Sequence, residues 1–245
     1  MGDDLEVIAG GSTGLIKLRT DNSFVEKAPH PNDKTVEANL EDLRREYVAY
    51  SRLPRHPRVL QLHSHSTPQR LVLPYLRNGC LRDFLRYTSS SSSSSRRLQF
   101  AADAAESLSI LHSVQIIHGD INSWNFLLTD DFRLCIIDFS GSTIDGSAGS
   151  GFEGFRYCLP RSFHDPSTVR TDLFALGSLL YEIMTGETPY QSCEDQEVEE
   201  YFRKGIFPTT KDVPLLGSVM LGCWRGAYES AEAVYEDIKK QQEAV

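Results

Sequence analysis

The chain has 245 residues, 40% hydrophobic and 24% charged, with a formal net charge of -9. These are ordinary values for a folded globular protein, and the acidic balance argues against a general nucleic-acid binder, which would carry a basic stripe. No apolar run approaches the roughly 18 residues needed to cross a bilayer. The five cysteines (Cys80, Cys135, Cys158, Cys193 and Cys223) are widely spaced and form no C-x-x-C pair, so reduced thiols are expected, with neither a disulfide framework nor a zinc site. Met1 to Glu6 lacks a basic segment followed by an apolar one, so no secretory leader is expected. Glu6 stands where a myristoylation signal needs Ser or Thr. The expectation is a cytoplasmic monomer, the nucleus left open, with no membrane and no nucleic-acid partner.

Residues 5 to 27 are predicted as three short strands: Leu5 to Ile8, Leu15 to Leu18 and Ser23 to Lys27. Gly10, Gly11 and Gly14 between the first two supply a tight turn with exposed backbone N–H groups. Thr35 to Leu53 reads as an amphipathic helix, with Leu40, Leu43, Tyr47 and Tyr50 at helical spacing and Pro54 and Pro57 as stops. Val59 to Leu62 and Leu71 to Leu73 are two further apolar strands. Five strands and one helix make a small sheet-based lobe.

After Tyr75 the pattern turns helical. Leu81 to Arg86 is a short helix. Ser89 to Ser95 is a run of seven serines, which cannot bury apolar surface and reads as a flexible linker. Leu98 to Val114 is a helix with Phe100, Ala104, Leu108 and Leu111 on one face. Thr171 to Met184 is apolar enough for a buried central helix. Gln196 to Arg203, Pro214 to Trp224 and Ala231 to Gln241 supply three more.

The chemistry concentrates in His118-Gly119-Asp120-Ile121-Asn122-Ser123-Trp124-Asn125, followed by Asp138-Phe139-Ser140-Gly141. An Asp, an Asn five residues on, and a second Asp after an apolar strand is the layout of a phosphoryl-transfer site. One carboxylate handles the acceptor hydroxyl. The amide and the other carboxylate hold magnesium, a hard cation that favours oxygen donors.

With that motif the chain resembles a eukaryotic protein kinase domain, nearly end to end. Asp172 to Gly177 and Leu179 to Tyr190 are similar to the kinase central helix and its exit, and Tyr75 to Leu81 resembles the segment joining the two lobes. The resemblance implies an α+β, bilobal protein-kinase-like fold. One kinase domain spans residues 1–245, with a small five-stranded lobe (1–74) and a larger, mostly helical lobe (75–245). ATP and Mg2+ are the implied cofactors and a protein the implied substrate, with a Ser/Thr acceptor expected. Lys27 is the implied phosphate-binding lysine and Glu46 its partner. Gly11 and Gly14 would cover the phosphates. Ile16 and Val25 would roof the adenine, Leu73 would guard the pocket, and the Pro74 C=O and Leu76 N–H would meet the adenine edge. Asp120 is the implied catalytic base, with Asn125 and Asp138 as metal ligands. His118 is implied to be structural, stacking with Tyr50, Phe139 and Leu62.

The departures from the family pattern carry their own expectations. Gly119 replaces an Arg that pairs with an activation-segment phosphate, so the segment from Asp138 to Pro160 is expected to order without phosphorylation. Asn122 replaces a Lys beside the transferred group. Ser140 replaces a flexible Gly, with left-handed backbone strain expected there and relief at Gly141. Arg161 replaces a Glu, and a swapped ion pair with Glu229 is expected. Two other readings accompany the kinase reading: a pseudokinase scaffold that binds nucleotide or partner with little turnover, and a small-molecule phosphotransferase.

Overall fold

The computed structural model describes residues 5–11, 13–30, 36–88, 92–213 and 215–243. Met1 to Asp4, Ser12, Thr35, Ser89 to Ser91 and Pro214, which enter the readings above, lie outside the described residues. Short extended runs build the first layer. Strands β1 (Leu5–Gly10), β2 (Leu15–Arg19) and β3 (Phe24–Ala28) form an antiparallel meander, and β4 (Leu71–Pro74) completes a sheet in the order β1-β2-β3-β4. Ile16 pairs with Lys27, and Val25 with Leu73. Directly opposed residues share a face, so these four side chains look the same way, into the cleft.

The sheet has four strands, not five. Val59 to Leu62 is apolar enough for a strand, but Val59 makes a single parallel bridge to Ile136 in the other lobe. Ile136 N–H donates to the Arg58 carbonyl, and only His63 N–H reaches Val72 O of β4. The hydrogen bonds at the two flanks of this run, at Arg58 and His63, go to different neighbours, so no ladder forms.

Helix α1 (Val36–Arg52) buries Leu43, Ala49 and Tyr50 with Glu46 on the same stripe, which carries one carboxylate into the cleft. The larger lobe holds α2 (Leu81–Thr88), α3 (Ser94–Ser113), α4 (Val169–Thr185), α5 (Asp195–Arg203), α6 (Gly217–Arg225) and α7 (Ala231–Glu243). Helix α4 is buried nearly all round and starts at a Thr168/Thr171 capping box. It packs on α6, and a Cβ at Gly177 would stand 2.8 Å from the Cys223 side chain, so glycine sets that approach. Helix α3 packs on α4 and α7, and its Phe100, Ala104, Leu108 and Leu111 are fully buried.

The last three serines of the run are not linker. The Ser93 side chain accepts from Arg96 N–H as the N-cap of α3, and Ser94 and Ser95 form its first turn. Serine is among the best N-caps, a local preference that reading the run by composition overlooked. Among the described residues no helix is long and apolar enough to cross a membrane.

Candidate active site

Helix α4 shapes the segment that carries the motif. Its Asp172, fully buried, accepts from the backbone N–H of His118 (2.8 Å) and Gly119 (2.9 Å) and from His112 Nε2 (3.0 Å). Gly119 takes φ 75°, and a Cβ there would stand 3.0 Å from Ser167 Oγ. A side chain at this position is therefore strained twice, by conformation and by contact. His118 Nε2 donates to Ile137 O at 3.0 Å, and its Nδ1 accepts from Asp120 N–H at 3.3 Å. Both ring nitrogens are occupied structurally. Tyr50, Phe139 and His118 stack edge to face, with centroids 4.7 and 5.6 Å apart. Leu62 packs half-buried against the same core.

The Asp120 carboxylate is held on both oxygens. Asn122 Nδ2 donates to Oδ1 at 2.9 Å, and Asn125 Nδ2 to Oδ2 at 3.0 Å. Asn122 Oδ1 also accepts from Trp124 N–H, which starts the short 3-10 turn Ser123–Asn125. Burial raises the Asp120 pKa; the neighbouring His118 ring and the Asn125 and Asn122 hydrogen bonds pull the other way. A carboxylate raised in this way suits proton transfer near neutral pH better than an exposed one.

A short hairpin brings Asn125 and Asp138 together. After the short β5 (Ile116–Ile117), strands β6 (Phe126–Leu128) and β7 (Leu134–Ile136) pair in register, and Ile137 N–H donates to Asn125 O at 3.0 Å. Asn125 uses its Nδ2 on Asp120, which leaves Oδ1 as an oxygen donor. Asp138 Oδ1 accepts from Lys27 and from Ser140 Oγ (2.8 Å), which leaves Oδ2. Two hard oxygens, with further positions for water and phosphate, fit magnesium.

Lys27 Nζ lies 2.8 Å from Glu46 Oε2 and 2.9 Å from Asp138 Oδ1. Burial works against its charge, but the two carboxylates outweigh burial and hold the ammonium above the ordinary lysine value. Burial also pushes Asp138 up, and the Lys27 charge with the Lys27 and Ser140 hydrogen bonds pulls it down to about 2.

Beside this cluster is a cavity of about 420 Å³, within the usual range for small-molecule sites of roughly 300–1,000 Å³. Ile16, Val25, Lys27, Glu46, Leu73, Pro74, Leu76 and Asp138 all line it. Leu127 and Ile137, on and just after the hairpin, also line it, as do Ala9 and Tyr75. Sequence reasoning missed Leu127. Its position two residues beyond Asn125, on an apolar strand, was the available signal.

Gly11 and Gly14 do not line that cavity. Gly11 N–H donates to Gly14 O at 2.9 Å, closing the turn on itself, and a Cβ at Gly14 would collide with Ala28 O at 2.2 Å. The turn tip instead brings Thr13 against a smaller, polar chamber of about 220 Å³ that also touches Asp120 and Asp138.

Two expectations are corrected here. Left-handed backbone falls on Asp138 (φ 65°), not on Ser140. Gly141 serves close approach, since a Cβ there would stand 2.7 Å from Gly151. Arg161 does not reach Glu229, which is exposed. Arg161 Nη2 lies 2.7 Å from Glu153 Oε2, and its guanidinium covers the Phe152 ring at 4.6 Å. A partner eight residues upstream closes the pair within one segment. The end of α6 is met instead by Arg170, which donates to the Cys223 and Trp224 carbonyls at 2.6 and 2.9 Å.

Fold and site together define a phosphotransferase of the bilobal kinase class. The family described as "Protein tyrosine and serine/threonine kinase" matches residues 27–234. The chain belongs to that family and is a protein kinase domain. It is 28% identical over 240 residues to the tyrosine-protein kinase receptor TYRO3 of Danio rerio, covering 87% of this chain and 28% of that protein. It is 26% identical over 231 residues to fibroblast growth factor receptor 1 of Dugesia japonica, covering 84% and 27%. It is 26% identical over 253 residues to the fibroblast growth factor receptor of Strongylocentrotus purpuratus, covering 90% and 25%. The chain thus spans about a quarter of the length of these curated relatives.

Proposed function

We propose that this chain transfers the γ-phosphoryl group of ATP, with magnesium, to a hydroxyl of a protein substrate. The observation that carries the reading is Lys27 bound to both Glu46 and Asp138, while Asn125 ties Asp120 to the same hairpin. In this reading magnesium supplies charge neutralisation at the phosphates. Asn125 Oδ1 and Asp138 Oδ2 would hold it, Lys27 would orient the phosphates, and Asp120 would take the acceptor proton. Pro74 and Leu76 present backbone groups to the adenine edge, and Leu127 lies beneath the ring.

The acceptor expected from the sequence is Ser or Thr, whereas TYRO3 is named as a tyrosine kinase. The half-exposed Trp124 stands in the cavity beside Asp120 and offers a wall for a phenol ring. A tyrosine acceptor is therefore the second reading. The test is phosphate transfer from ATP to a generic protein, to the chain itself, and to matched Tyr and Ser peptides, with Asp120→Ala alongside. Turnover that vanishes in the variant supports the reading. Nucleotide-induced thermal stabilisation without turnover replaces it with the scaffold reading.

A further inference from the structure

The chain is acidic overall, which weakly favours basic substrate segments, but its acceptor side is built differently. The cavity beside Asp120, about 530 Å³, is lined by Arg82, Trp124 and Arg156. It shares Arg82 and Gln191 with a second cavity of about 500 Å³, which runs along α2 to Arg86. The two form one groove leading away from Asp120.

One carboxylate of the groove is already used. Glu182 of α4 lines the groove but is fully buried. It accepts from Arg82 Nη1 (2.5 Å), Ser123 Oγ (2.8 Å) and the Tyr157 hydroxyl. Its oxygens are satisfied from within the chain. Arg82 spends one of its five N–H donors there, and its side chain remains 31% exposed. Arg86 is exposed on the next turn of α2 and forms no ion pair among the described residues. The Arg156 charge is matched by Asp195. The accessible carboxylates of the groove are Asp120, committed to the acceptor hydroxyl, and Glu187 at the far rim.

We propose that the groove selects acceptor segments carrying acidic side chains beside the hydroxyl-bearing residue, with Arg82 and Arg86 as the groups that read them. This rests on the kinase reading above and names its substrate class. Flanking carboxylates would meet the free face of the Arg82 guanidinium and the Arg86 guanidinium, while flanking lysines would be repelled.

The experiment uses labelled peptides with a central Tyr or Ser, flanked on either side by Glu, Ala or Lys. Binding is read by fluorescence anisotropy and turnover by initial rates with ATP and magnesium. The expected result is about fivefold tighter binding of Glu- than Lys-flanked peptides, the worth of one exposed ion pair, shrinking as salt rises. Arg86→Glu, an exposed change that leaves Glu182 satisfied, should remove or reverse the preference without altering nucleotide binding. Equal binding of all three peptides, a preference for Lys, or an unchanged preference in Arg86→Glu overturns the proposal. A Glu preference in binding with no turnover of any peptide upholds the groove assignment and overturns the kinase reading alone.

Discussion

Lys27 Nζ stands between Glu46 Oε2 and Asp138 Oδ1, 2.8 and 2.9 Å from each, so a single ammonium joins α1 to the segment after β7. Replacing it with Met strands a buried carboxylate at Glu46, at a cost of about 3–5 kcal/mol. Lys27→Met should melt well below the wild type and lose most of its ATP-induced stabilisation. Lys27→Met/Glu46→Leu should regain melting temperature but not activity, because an apolar pair replaces a broken ionic one. A double variant no more stable than the single would place the loss elsewhere.

Asn122 holds one oxygen of Asp120 and starts the turn that carries Asn125. Asn122→Ala should lower kcat on the order of tenfold to a hundredfold through lost positioning, with the KM for ATP unchanged. The Asn122 hydrogen bond lowers the Asp120 pKa, so its loss lets that pKa rise. The acid limb of the rate profile should then move to higher pH. A profile that does not move would show that Asn122 acts elsewhere.

Gly119 is the natural site at which to restore the family's arginine. At φ 75° with Ser167 so near, Gly119→Arg should cost about 1–2 kcal/mol in backbone strain alone. For a chain of this length that is a fall of about 3–6 °C in melting temperature. Calorimetry of the variant checks it, and a stabilised variant would mean that the segment re-forms around the new side chain.

Burial raises the Glu153 pKa to about 7 from an ordinary 4.5, with Arg161 opposing. Between those values the folded chain binds more protons here than the unfolded chain, so this group's contribution falls as pH rises through the window. Glu153→Gln does not titrate. Melting curves from pH 5 to pH 8 should therefore fall less steeply in the variant than in the wild type. Parallel curves would rule Glu153 out as the source.

The parts of the site legible in sequence are those that chemistry forces close together along the chain. Asp120, Asn125 and Asp138 flank one hairpin, so their spacing is their geometry. Lys27 and Glu46 were reached only through the family resemblance, because a sheet and a helix bring them together. Where tertiary competition decides, the reading failed. Val59 to Leu62 carries a strand's apolar content, but the hydrogen bonds at its flanks, at Arg58 and His63, go to two lobes. Arg161 found Glu153 instead of Glu229, a choice that no charge pattern distinguishes in advance. The turn at Gly11 was legible as a turn, but its closure on Gly14 depends on backbone packing against Ala28.

The anchoring of the motif to Asp172 bears on how such a chain diverges. The backbone at His118 and Gly119 is gripped from below by a carboxylate on a central helix. That grip acts on backbone N–H groups, so it does not depend on which side chain stands at position 119. What a side chain at 119 costs is the local strain of its left-handed backbone and the contact with Ser167. A lineage could therefore exchange an arginine at 119 for glycine in a single step, while Asp120 and Asn125 kept their places. Asp172 itself has no such freedom, and changes there should be the rarest along this line of descent.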